Sequence, residues 1–332
     1  MPVKSQHMKE TKHLKPINKY IIPFLDYCEI EKGLSNNTQK NYRQYLSLFV
    51  RWLEKTGRKN LPPHRLTQKE IWDYRLYIAR TYKTPRDGYL SKKSQNYYLI
   101  ALRALFEFFA ERDINCLPSS KIKLAKQQNE TQVEFLELND VEKILAIADV
   151  STFIGLRDRA ILETLFSTGM RISELVSLNI DQVSFLLKKE ENKTIELSIT
   201  GKGNRVRTVY ISPRAGQWIK KYLGIRGNIF IKPLFVNTRS KNPDERRLTQ
   251  RSIQIMISKY SKLAGLAKKV TPHTFRHTYA TDLLSRGADL RSVQEFLGHK
   301  SVATTQVYTH LTNKRLKDIH EKFHSGNTIS NE

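Results

Sequence analysis

A chain of 332 residues in which 57 Lys and Arg face 32 Asp and Glu carries a formal charge of +25, an excess that asks for a polyanionic partner. Its 39% hydrophobic residues suffice for packed cores, which excludes a disordered chain, and the length predicts about two domains. Nucleic acid is the first candidate partner; a membrane surface is second, without any apolar run of the roughly 18 residues a span needs. The polar, basic start of the chain has no apolar segment of the secretory kind. Cys28 and Cys116 form neither a disulfide framework nor a zinc spacing, so a reducing cytosol is expected.

The first half reads as four helices. Ile21, Phe24, Leu25 and Cys28 follow a helical period, and Tyr42, Tyr45, Leu46, Phe49 and Leu53 make a second stripe. Thr67 with Glu70 is a capping-box pattern ahead of Ile71, Tyr74 and Ile78. Leu99, Leu102, Leu105, Phe106 and Phe109 make the fourth stripe. Lys40, Arg43, Arg51, Lys55, Lys92 and Lys93 fall on polar faces, where a solvated basic surface is the plain reading for any one of them. The polar stretch 118–134 lacks a sustained apolar period and reads as a basic interdomain linker.

The second half opens with a cap at Asn139 or Asp140 and then Val141, Ile144, Leu145 and Ala148 at helical spacing, followed by a helix over 156–167. The period then changes. Ile195, Leu197 and Ile199 alternate, Gly201-Lys202-Gly203-Asn204 breaks the run, and Arg207, Val209 and Ile211 share one side of a returning strand. This predicts a β-hairpin with Lys202 at its tip, with 183–186 as a candidate third strand. Pro213 starts a helix, 251–266 forms another, and Thr271-Pro272 is an N-cap followed by Pro at the first helical position. Gly287 and Gly298 sit where helices stop. Leu316, Ile319 and Phe323 share a face near the end of the chain.

Chemistry-bearing side chains cluster on the short loops of this half. Arg171 follows Thr168-Gly169-Met170, His273 and Arg276 stand three apart in the first turn of one helix, His299 follows Gly298, and Tyr308 lies nine residues beyond. Two Arg, one Lys, two His and a Tyr, without a carboxylate pair to cradle a metal, suit attack on a phosphodiester. Guanidinium groups bind the non-bridging oxygens with paired donors and keep their charge. A tyrosine hydroxyl is a competent nucleophile, a histidine takes its proton, and a lysine protonates the leaving oxygen. Taken singly, each residue has a plainer role: Lys202 as a turn lysine, Arg171 as the partner of Glu174 at i, i+3, and Tyr308 as one of 15 tyrosines. His273 and His277 have the i, i+4 spacing of a zinc helix, but no acidic residue stands between them as in a metalloprotease, and His277 reads as structural.

The segments from Ser167 to Leu175, Gly201 to Asn204, His273 to Thr281, and Gly287 through Leu297-Gly298-His299 to His310 resemble the tyrosine recombinase (phage integrase) family, and most closely its Xer branch. The stretch from Phe24 to Leu53, with Glu31-Lys32-Gly33-Leu34-Ser35, resembles the family's N-terminal DNA-clamping domain. The resemblance implies a fold that is mainly α with a small antiparallel β-sheet: a two-domain C-shaped DNA clamp of an all-helical core-binding domain and a tyrosine recombinase catalytic domain. On this pattern 1–16 is a basic extension, 17–115 the helical domain, 116–134 the linker, 135–325 the catalytic domain with a trans-docking helix at about 313–323, and 326–332 a tail. The family's catalytic set falls on Arg171, Lys202, His273, Arg276, His299 and the nucleophile Tyr308, with Glu174 in support.

The resemblance further implies site-specific cleavage and rejoining of double-stranded DNA through a 3′-phosphotyrosyl link and a Holliday junction, at a dif-like site that resolves chromosome dimers. The link preserves the bond energy, so no cofactor, no metal and no ATP is expected. The implied partners are a double-stranded recombination site, three further copies in a homo-tetramer on two sites (or a second recombinase in a hetero-tetramer), and a DNA translocase of the FtsK type, with no membrane. The implied location is cytoplasmic and nucleoid-associated. Two departures, the long lead-in over 186–194 and the basic extension before Ile17, point to a divergent branch acting with a single recombinase. The alternatives are an integrase of a phage or mobile element, which often carries an extra arm-binding domain, a type IB topoisomerase, and a non-catalytic DNA-bridging architectural protein.

Overall fold

The structure, a computed structural model, describes residues 15–84, 88–126, 134–187, 193–201, 206–227, 231–238, 240 and 246–298. Two compact units divide the chain, Met1–Glu130 and Thr131–Glu332. Lys202, His299, Tyr308 and the apolar stripe at 313–323 lie outside the described residues.

In the first unit α1 (Ile21–Ile30), α2 (Asn36–Lys55), α3 (Gln68–Leu76) and α4 (Lys92–Glu111) follow the four apolar stripes. Three of the four starts have a side-chain cap. Ser35 and Ser91 accept the N–H of Thr38 and Ser94, and Thr67 and Glu70 make the capping box that their spacing predicts. The buried faces close on Phe24, Leu46, Phe49, Tyr74, Leu102 and Phe106. Lys40, Arg43, Arg51, Lys55, Lys92 and Lys93 are all exposed.

Two features of this unit depart from the sequence reading. It is not all-helical, because a hairpin, β1 (Lys83–Thr84) with β2 (Gly88–Tyr89), joins α3 to α4 after a π-turn at Tyr77–Thr81. And the polar run expected to link the domains is tied down over its first half. Ile122 is fully buried in the helical core, and the Asn96 side chain donates to the Ala125 carbonyl and accepts its N–H, both at 2.9 Å. A side-chain amide used as a backbone partner leaves no periodic signal in a sequence.

The second unit is built around α6 (Phe153–Thr168), which is buried on nearly every side. Around it lie α5 (Leu138–Ala146), α7 (Ile172–Ser177), α8 (Pro213–Arg226), α9 (Gln250–Leu263), α10 (Pro272–Ser285) and α11 (Leu290–Leu297). The α5 helix begins at Leu138, ahead of the expected Asn139 or Asp140 cap, and its N-cap Glu137 makes no side-chain bond. The charged residues that α6 carries inside are all paired. Arg157 donates to Asp158 and, at 2.8 Å, to the Val236 carbonyl; Asp158 accepts the Tyr260 hydroxyl at 3.0 Å; Glu163 accepts from Arg159 at 2.9 Å and Arg214 at 3.0 Å. Burial without these partners would cost several kcal/mol (about 3–5 for a broken pair).

Strands β3 (Ile195–Thr200) and β4 (Val206–Ile211) pair antiparallel, Ile195 opposite Ile211 and Ile199 opposite Arg207. The predicted third strand is absent from this sheet: Ser184–Leu187 is a 3-10 turn. Ile180, Val183 and Leu186 are buried at a spacing of three, joined by i to i+3 backbone bonds, so the apolar run follows a helical period rather than an alternating one. Asn96→Ala removes both bonds that hold Ala125 and should cost about 1–3 kcal/mol. Limited proteolysis checks it: cleavage should appear within 116–126 in the variant and be slow in the wild type.

Candidate active site

The site is assembled from two helix starts and two helix ends. Helix α6 ends at Gly169, whose φ of 57° is left-handed, and a Cβ there would fall 2.4 Å from the Tyr279 ring. Both the turn and the close approach of α10 therefore require glycine. The turn delivers Arg171 to the N-cap of α7, where its backbone N–H donates to Glu174 Oε2 at 2.7 Å and its Nη1 to Oε1 at 3.0 Å. Helix α10 starts at Pro272 behind a Thr271–Thr274 capping box, and its first turn presents His273 and Arg276 on one face.

Glu174, 3% exposed, is the hub. Besides Arg171 it accepts Arg207 Nη2 at 3.0 Å from β4. Arg276, 5% exposed, donates Nη1 to the Gly169 carbonyl at 2.7 Å and Nη2 to the Leu297 carbonyl. It thereby closes the C-terminal ends of α6 and α11, where unpaired carbonyls and the helix dipole favour a cation. Arg171 Nη2 reaches the Gly298 carbonyl at 3.2 Å, and Arg207 Nε the Phe296 carbonyl at 3.3 Å. Three consecutive carbonyls at the end of α11 are thus each held by a different arginine.

His273 has an exposed face. Loss of water on its inner side, with Arg276 and Arg171 nearby, holds its imidazolium below the ordinary histidine value, so the ring is neutral and open to a proton at pH 7. His277 is driven down to about 4, first by burial and then by His273 and Arg276. Beside His273 an open groove of about 630 Å³ is lined by Arg251, Lys259, Lys262 and Lys269 over Ile172. Among the described residues no group of three or more His, Cys, Asp or Glu is placed to hold a metal.

The structure therefore brings Arg171, Glu174, His273 and Arg276 together, and describes neither Lys202, His299 nor Tyr308. Arg207 went unassigned as a site residue in the sequence reading. Its signal was nonetheless present: a cation on the same strand face as Val209 and Ile211.

Residues 134–315 match the phage integrase family, and residues 23–116 match the phage integrase N-terminal SAM-like domain. The chain belongs to the phage integrase, or tyrosine recombinase, family. Tyrosine recombinases are DNA cleaving and rejoining enzymes, and this is one of them. It is 36% identical over 310 residues to "Tyrosine recombinase XerD" of Listeria innocua, covering 93% of this chain and 99% of the relative. It is 32% identical over 313 residues to "Tyrosine recombinase XerC" of Leptospira interrogans, covering 93% and 94%. In fold it is similar to the XerH recombinase bound to a palindromic difH substrate, with a TM-score of 0.67, 24% identity and 90% and 83% coverage. A similar match is the lambda integrase tetramer bound to a Holliday junction, with a TM-score of 0.63, 19% identity and 86% and 77% coverage. These two likenesses concern the fold. The described helices of this recombinase include none long and apolar enough to cross a membrane.

The environment of His277 gives the recombinase a pH-dependent stability. Above pH 6.5 the ring is neutral in both states; between 6.5 and about 4 only the unfolded chain takes up the proton, so folding weakens as pH falls through that window. Denaturant titrations at pH 7.5 and 5 on wild type and His277→Gln check it. The wild type should lose about 1–2 kcal/mol more than the variant.

Proposed function

We propose that this recombinase exchanges DNA strands at a dif-like chromosomal site, resolving chromosome dimers, with Arg171, Lys202, His273, Arg276, His299 and Tyr308 as its catalytic residues. The observation that carries the reading is the convergence of Arg171 and Arg276 on the end of α11, the helix that leads into His299, with His273 beside both guanidiniums. Supporting it are the Xer relatives, similar along more than nine-tenths of the chain.

In the proposed reaction the Tyr308 oxygen attacks the scissile phosphorus. The new bond is Tyr O–P; the bond that breaks is P–O5′, leaving a 3′-phosphotyrosyl link and a free 5′-hydroxyl. His273, neutral and beside two guanidiniums, takes the tyrosine proton, and Lys202 supplies one to the departing 5′-oxygen. Arg171 and Arg276 meet the charge that grows on the non-bridging oxygens, with His299 as a further donor. Rejoining runs the same steps in reverse, with the 5′-hydroxyl of the partner strand as nucleophile. No metal or nucleotide cofactor enters these steps.

The exposed cations of the helical unit and the basic groove beside His273 offer backbone contacts to duplex DNA. On this reading four copies of the recombinase assemble on two sites, with the 313–323 segment docking on a neighbouring copy. The same reading places it on the nucleoid in the cytoplasm, with a DNA translocase of the FtsK type as its motor, and divides the chain at 116–134.

Tyr308→Phe deletes only the nucleophilic oxygen. On a nicked suicide duplex it should bind as the wild type does and form no covalent adduct; an adduct in this variant would place the nucleophile elsewhere. Arg171→Ala and Arg276→Ala should each slow adduct formation by about 100-fold or more while binding falls far less. A chelator should leave wild-type cleavage unchanged, measured by the same adduct.

A further inference from the structure

Arg207 stands on β4, opposite Ile199 and on the inward face with Val209 and Ile211. A cation at that place has to be desolvated, and it lies near another guanidinium, that of Arg171. Where only packing is needed, an apolar residue fills such a position at lower cost. The side chain is 12% exposed, and its hydrogen bonds among the described residues go to Glu174 and to the end of α11. Its Nη2 bonds Glu174 Oε2 at 3.0 Å, the oxygen that also takes the Arg171 backbone N–H, and its Nε bonds the Phe296 carbonyl at 3.3 Å. The remaining Nη1 is buried with no hydrogen-bond partner among the described residues.

The same arginine shapes the end of α11. Gly298 is left-handed, with φ of 62°, and a Cβ on it would lie 2.8 Å from Arg207 Cδ. The chain turns out of the helix directly against this side chain, and His299 is the next residue. Arg207 therefore touches both parts of the site whose direction matters: the carboxylate that aims Arg171, and the turn that precedes His299.

We propose that Arg207 is a positioning residue for strand cleavage, fixing Arg171 through Glu174 and the last turn of α11 through the Phe296 carbonyl. The inference rests on the reading that Arg171 and His299 act on the scissile phosphate. Arg207 contacts no substrate atom in this account; misplacing the groups it holds by about 1 Å is enough to cost on the order of 100-fold in rate.

Single-turnover adduct formation on the nicked suicide duplex tests it, with the full-length protein and with DNA affinity and thermal unfolding measured in parallel. Arg207→Met keeps the bulk of the stem and removes the charge and the donors. It should slow the adduct by about 100-fold while affinity stays within about threefold, because many other Lys and Arg carry backbone binding. Arg207→Lys keeps the charge and one donor group but cannot fork between Glu174 and Phe296. It should unfold like the wild type and react at a rate between the two. The Met variant's defect should persist on a duplex whose scissile 5′-bridging oxygen is replaced by sulfur, since a thiolate leaving group needs no proton from Lys202.

Wild-type rates in both variants would overturn the inference, as would equal losses of binding and adduct, or a rate that tracks the folded fraction. Rescue by the bridging sulfur would also overturn it, since it would mean that Arg207 acts through the Lys202 hairpin. If Arg207→Met does not fold, the Lys variant decides: folded and slow supports the proposal, folded and fast ends it. The controls keep the two readings apart. An adduct in Tyr308→Phe, or none in the wild type, overturns the catalytic assignment and this inference with it, whereas a normal rate in the Arg207 variants overturns the inference alone.

Discussion

The buried carboxylate of Glu174 is the interaction on which the site depends. One negative charge accepts from Arg171 twice and from Arg207 once, while Arg276 donates to the Gly169 and Leu297 carbonyls. Two guanidiniums, those of Arg171 and Arg207, sharing one carboxylate leave this pair of ion pairs cationic before any substrate arrives. Such a surplus is costly in a folded protein, and an entering phosphate relieves it. The carboxylate keeps the arginines from flying apart; the carbonyls at the end of α11 absorb part of what remains. Those carbonyls need donors in any case, because the last turn of a helix has none of its own.

The scaffold beneath is built to hold this arrangement still. Helix α6 is buried on nearly every side, and its charged residues are held by Asp158, Tyr260, Arg159 and Arg214. It ends at Gly169, which satisfies a left-handed turn and the packing of Tyr279 at once. Arg276 then ties that same turn to α11. Elements far apart in the chain (a turn near 170, a strand near 207, helix starts and ends near 273 and 298) are therefore joined by side chains alone. Rigid placement of this kind is what electrostatic stabilisation of a transition state requires, since donors that must reorient lose most of their advantage.

Much of this was legible in the residues. The apolar stripes of α1, α2 and α4 carry their period openly, and the Thr67–Glu70 and Thr271–Pro272 signals mark helix starts because capping is local chemistry. The hairpin face of Arg207, Val209 and Ile211 was equally plain. The segment 183–186 misled because a four-residue apolar run fits a strand as well as one turn of a 3-10 helix; which forms depends on the neighbours that bury it. The hold of Asn96 on Ala125, 29 residues away, had no sequence signal.

From its sequence alone this protein was determined to be a basic, two-part, mainly helical chain whose Arg171, His273 and Arg276 stand in a tyrosine recombinase pattern. Period, capping and motif spacing are properties of neighbouring residues, so they survive without a fold. What only the tertiary structure decided is how those residues are held: that Glu174 joins Arg171 to Arg207, and that three arginines share the carbonyls of Phe296, Leu297 and Gly298. Each of those bonds spans tens of residues in the chain or more, apart from the local pairing of Arg171 with Glu174. The strength of each comes from burial, and burial exists only once the helices have packed.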